Sequence, residues 1–130
     1  MIPLRDTTHA HRTPVVTILL IAANVLVFAY EVRVGPAVVS LIDAFGLIPA
    51  RFFATVPAPE AFVPLVSSTF LHGGWAHLLG NMLYLWVFGD NVEDRLGRVR
   101  FVFFYLSCGI AAGLGQAIAH PGSTMPMVGA

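Results

Sequence analysis

Three polar side chains crowd one short, otherwise apolar stretch, "LHGGWAHLLGNM", residues 71–82: His72, His77 and Asn81. His77 and Asn81 are four apart, so on a helix they project from one face. An imidazole and a carboxamide both donate hydrogen bonds. Facing a water-filled notch near the end of a span, each can hold negative charge developing on a carbonyl oxygen, and one such donor is typically worth about 2.7–4 kcal/mol of barrier. That chemistry needs a nucleophile, which spacing alone does not supply. The plain alternative is interhelical hydrogen bonding, with Asn81 joining helices and His77 as its neighbour. No metal site is expected: His72 and His77 are five apart, no cysteine is near, and Asp90, Glu93 and Asp94 lie at the far end of the same helical stretch. A proton relay through His72, His77 and Asn81 is set aside on the reading that no carboxylate lies in any span.

The elements that must carry these residues are helical and membrane-bound. The chain has 130 residues, 57% hydrophobic and 11% charged, where soluble domains average about 25% charged. Its mean hydropathy is +0.79. A soluble domain of this size could not bury so much apolar surface. Net charge is zero and all seven basic residues are arginine, so no basic patch points to nucleic acid. The single cysteine, Cys108, excludes an internal disulfide. The predicted fold class is all-α: a polytopic membrane protein with three spans, at about 14–34, 75–96 and 98–119, following a tail over 1–13.

In the first span Thr13 suits an N-cap and Pro14 the first helical position, and Gly35-Pro36 stops the helix. Asn24, its mid-span amide, should face another helix. Residues 35–74 hold five prolines between apolar stretches. They predict short interfacial helices, with Phe45, Phe52, Phe53 and Phe62 in lipid. Gly97 suits the end of the second span. In the third, Gly109, Gly113 and Ala117 form a small-residue packing face with Cys108 beside it as a core residue. Tyr84 and Trp86 read as packing residues, and Gln116 needs a polar partner near the outer face. Arginines at 5 and 12, and at 95, 98 and 100, favour a cytoplasmic N-terminus and second loop. The long loop, with Arg33 and Arg51, is then outside, and His77 enters the membrane from the outer face. Glu93 falls at the opposite end, where a structural role fits better than a catalytic one.

Residues 70–101, "FLHGGWAHLLGNMLYLWVFGDNVEDRLGRVRF", resemble the signature block of the rhomboid intramembrane serine proteases. The family's H-x-x-x-N is met by His77 and Asn81. Its glutamate-x-x-x-glycine-x-x-arginine-phenylalanine segment is met by Glu93, Gly97, Arg100 and Phe101. The likeness is close from about Phe62 onward and looser over the first span. It implies a serine endopeptidase that cleaves peptide bonds in or near transmembrane segments, needing no metal or cofactor. Its partners would be transmembrane protein substrates and the bilayer, in a bacterial plasma membrane, with the site open to the outer face. Asn81 and His77 would hold the oxyanion. Gly129 and Ala130 would be the first two positions of the family's G-x-S-G motif, so the serine would be the next residue. The base histidine would lie on a later helix, and the 130-residue chain alone would be inactive. A non-catalytic rhomboid-like protein binding membrane clients is the second reading. A small channel or transporter ranks last, since the spans are read as lacking a carboxylate or a broken-helix signature.

Overall fold

The computed structural model describes residues 13–129. The tail predicted over 1–13, apart from Thr13, lies outside the described residues, as do Arg5, Arg12 and Ala130. The described chain is helical, its sole β-type pairing an isolated antiparallel bridge between Leu47 and Met127. There are three long helices, α1 (Val15–Val34), α5 (Trp75–Leu96) and α6 (Arg98–Ala119); Gly97 alone separates α5 from α6, and a segment that carries three short ones joins α1 to α5. These are α2 (Val38–Phe45), α3 (Pro49–Thr55) and α4 (Val63–Ser67).

Among the described residues, two helical stretches are long and apolar enough to cross a membrane: Val15–Phe45, which includes the turn at Gly35, and Arg98–Ala119. In hydrocarbon a helix satisfies its own backbone, and its side chains then sort in reverse, polar groups inward. α1 does this. Its buried residues are Thr17, Asn24, Phe28 and Glu31, while Leu19, Val25, Leu26 and Tyr30 are exposed. Thr17, Asn24 and Glu31 recur at steps of seven, and each meets a different part of the chain.

At the start of α1 the predicted Thr13 cap does not form; Pro14 occupies the cap position and no side chain of its own turn caps the helix. Glu93, from the last turn of α5, serves instead. Its Oε1 accepts from Val16 N at 3.0 Å, and its Oε2 from Thr17 N at 2.8 Å and Thr17 Oγ1 at 2.9 Å. A carboxylate here also meets the positive end of the α1 dipole. Arg98 lies 3.9 Å from Glu93 but is largely exposed, and so contributes little. The expected structural role of Glu93 therefore holds, with the first helix as its main partner. The approach is close because Gly89 is bare: a Cβ there would stand 2.8 Å from Thr17 Cγ2. Midway along α1, Asn24 faces another helix as expected, donating from Nδ2 to Leu20 O at 2.8 Å and to Tyr105 Oη of α6 at 3.3 Å.

Gly35, at φ +56°, ends α1 where the sequence predicts. In the connecting segment Pro36, Pro49, Pro59 and Pro64 each fall in the first turn of a helical element, where a missing N–H costs nothing. The four phenylalanines do not behave alike. Phe45, Phe53 and Phe62 are exposed, but Phe52 is buried in a cluster with Leu47, Ala61, Leu65 and Ala117. The small-residue face of α6 makes room for this cluster. Ala117 is fully buried, and Leu47 Cδ2 lies 3.1 Å from where a Gly113 Cβ would be. That face thus receives the connecting segment, not a long helix. Cys108 is exposed instead of buried, since it projects off this face. Tyr84 and Trp86 are exposed too, and Tyr84 stacks on Phe88 of the same helix with centroids 5.9 Å apart.

Truncating Glu93 to Ala should strand two amide donors and a hydroxyl at the start of α1. With hydrogen bonds to charged groups worth about 1.5–3 kcal/mol each and not additive, the expected loss is about 3 kcal/mol, against about 1 kcal/mol for Thr17→Val. Thermal or denaturant unfolding of the purified protein in detergent, followed by circular dichroism, measures both.

Candidate functional site

α5 and the residues before it bring the predicted side chains together. Gly73 and Gly74 let the chain turn from the connecting segment into α5, Gly74 at φ +157°. His77 then falls in the first turn of α5, and Asn81 about one turn further along. Asn81 Nδ2 lies 3.4 Å from His72 Nε2, and the His72 and His77 rings meet edge to face with centroids 5.3 Å apart. His72 is 2% exposed, whereas His77 is exposed and Asn81 half-buried. Behind them Phe28 packs against both His72 and Trp75, at 6.4 and 4.9 Å between centroids.

Gly129 arrives at the same place from the other end of the chain. After α6 ends at Ala119, the chain runs back along the connecting segment and is fastened three times. Ala50 N donates to Ser123 O at 3.0 Å; Leu47 and Met127 exchange backbone bonds of 3.1 and 2.8 Å; Gly129 N donates to Ser68 O at 2.8 Å. Gly129 has φ +83°, and a Cβ built on it would overlap the His77 imidazole. Only glycine combines that backbone with that approach. Beside Gly129 a cleft of about 400 Å³ opens over Gly109, Gly113 and Gln116 of α6. Gln116 is exposed on it.

The residue that spacing missed is Glu31. It stands in the first span, 3% exposed, and both carboxylate oxygens accept from His72 N, at 3.2 and 3.3 Å. A carboxylate does lie beside His72, contrary to the ground on which a relay was set aside. The sign was present in the sequence: an acidic residue inside an apolar run has to find a partner. Glu93, by contrast, sits sixteen residues beyond His77 on α5, roughly 24 Å along the axis.

The electrostatics of His72 follow from its surroundings. Burial disfavours its charged form and holds the imidazole below its ordinary 6.5; the Phe70 carbonyl opposes that, and His77 adds to it.

Long apolar helices with polar groups buried along them define a helical membrane protein. The chain belongs to the rhomboid family: the family model "Rhomboid domain" matches residues 59–130. The rhomboid protease GluP of Bacillus subtilis (strain 168) is 33% identical over 109 residues, which is 83% of this chain and 21% of that protein. The human presenilin-associated rhomboid-like protein, mitochondrial, is 36% identical over 92 residues, 70% of this chain and 22% of that protein. The aligned region thus spans about a fifth of these relatives' length. No solved structure matches the chain.

A histidine whose folded value is lowered binds its proton more readily when unfolded. Stability should be full above about pH 6.5, fall as pH drops below the unfolded value, and level off once the folded imidazole also protonates. The expected result is a melting temperature that declines as pH falls below the ordinary imidazole value of 6.5, with a shallower decline in His72→Gln, measured by scanning fluorimetry.

Proposed function

We propose that this chain is the N-terminal part of a rhomboid-type intramembrane serine endopeptidase. α1, α5 and α6 each cross the bilayer in this reading, with the N-terminus and the α5–α6 turn on the cytoplasmic side of a plasma membrane. α5 is the least apolar of the three, but its 22 residues reach about 33 Å. It packs against both α1 and α6, which shelters its polar positions.

The observation that carries this reading is the close fit of Gly129 against His77. A G-x-S-G motif beginning at Gly129 would bring its serine, supplied by sequence following Ala130, near the His77 and Asn81 side chains. The serine Oγ would attack the scissile carbonyl carbon while a histidine, also outside this chain, took its proton. Asn81 and His77 would donate to the carbonyl oxygen as it became an oxyanion. Collapse of that intermediate would expel the amine, which takes the proton, and water would then release the acyl group. The substrates would be membrane proteins cleaved in or near their transmembrane segments.

The test uses the complete gene product, extending past Ala130, in lipid vesicles with a transmembrane substrate. The wild type should cleave, and its serine should react with a fluorophosphonate. Asn81→Ala should lower kcat by about 10²–10³-fold with its melting temperature retained. The polypeptide ending at Ala130 should show no turnover. A folded full-length protein that neither cleaves nor labels would overturn the protease reading in favour of a rhomboid-like protein that binds membrane clients.

A further inference from the structure

An asparagine amide is nearly symmetric in shape, but its two ends have opposite hydrogen-bonding character, and an oxyanion can be held only by the nitrogen end. Something must aim Asn81, and the surroundings of His72 have the chemistry to do so. His72 Nδ1 lies 3.2 Å from Phe70 O. A carbonyl can only accept, so the ring proton belongs on Nδ1. Nε2 then presents a bare lone pair, and 3.4 Å away stands the Asn81 amide. Only its NH2 end can meet that lone pair; the carbonyl end would be repelled. One N–H is spent on His72 and the second is left to donate elsewhere. The histidine is itself held at its backbone by the buried Glu31 carboxylate and enclosed by the Phe28 and His77 rings. A bond of 3.4 Å before substrate arrives is in keeping with catalytic contacts that tighten only in the complex.

We propose that His72, fixed as its Nδ1–H form by the Phe70 carbonyl and seated by Glu31, is a positioning residue that orients the Asn81 amide with its nitrogen end toward the site. The catalytic consequence rests on the protease reading; the orientation itself does not. It is therefore tested first without activity. Nitrogen-15 spectra of imidazole-labelled full-length protein near neutral pH should show His72 protonated at Nδ1 and bare at Nε2. The opposite tautomer overturns the proposal whether or not the protein cleaves anything.

Kinetics then test the consequence. His72→Leu should lower kcat by roughly tenfold to a hundredfold with little change in KM, and His72→Gln, whose side-chain oxygen can accept the same N–H, should recover most of it. In an Asn81→Ala background His72→Leu should have no further effect on kcat. Additive losses, or a folded His72→Gln as impaired as His72→Leu, would mark His72 as merely structural and overturn the proposal. If His72→Leu does not fold, the tautomer and the cycle of His72→Gln with Asn81→Ala decide the matter.

Discussion

A polar group in hydrocarbon has nowhere to go but inward, and α1 turns that constraint into architecture. Thr17, Asn24 and Glu31 are buried along one side of a helix whose other sides are apolar and exposed. Left without partners, such groups would each cost several kcal/mol. Their partners lie on the last turn of α5, the middle of α6 and the residues leading into α5. One helix thereby sets the height and rotation of the rest. The conventional hydrophobic effect cannot do this between helices in lipid, where the solvent is as apolar as leucine. Close approach at Gly89 and specific hydrogen bonds do it instead.

The candidate site is a product of this arrangement. Glu31 fixes the backbone of His72, the ring of His72 reaches Asn81 one turn into α5, and His77 meets Gly129 at the end of the described chain. Two parts far apart in sequence are thus joined by a buried carboxylate at one end and a bare Cα at the other. The opposite end of α5 repeats the device, with Glu93 closing on the first turn of α1. A carboxylate at each end of the α1–α5 pair resists both sliding and splaying.

Much of this was legible in the chain. Three long helices, their ends at Gly35, Gly97 and His120, and the shared face of His77 and Asn81 all follow from period, glycine and proline. The family resemblance also predicts, through a G-x-S-G motif beginning at Gly129, that this glycine belongs to the same site. What stayed hidden was long-range. The cap of α1 comes from Glu93, so Thr13 looked sufficient by itself. Phe52 and Phe53 are equally apolar neighbours, and only the position of Ala117 on α6 decides that the first turns inward. Glu31 stayed hidden because its partner, the His72 backbone, lies forty-one residues away in the chain. Cys108 misled for a simpler reason: it adjoins the small-residue face in sequence but leaves it by a third of a turn.

The fastening of residues 120–129 to the connecting segment has a mechanical consequence. Leu47, Ala50 and Ser68 carry the backbone that ends at Gly129, and the same segment shows Phe45, Phe53 and Phe62 to its surroundings. Were these rings to lie at the boundary between acyl chains and headgroups, as the apolar composition of the segment predicts, their depth would follow the thickness and lateral pressure of the bilayer. A thinner or more tightly compressed leaflet would then raise or tilt them and carry Gly129 along the His77 ring. The lipid around such a protein would be a lever on its geometry as well as its solvent.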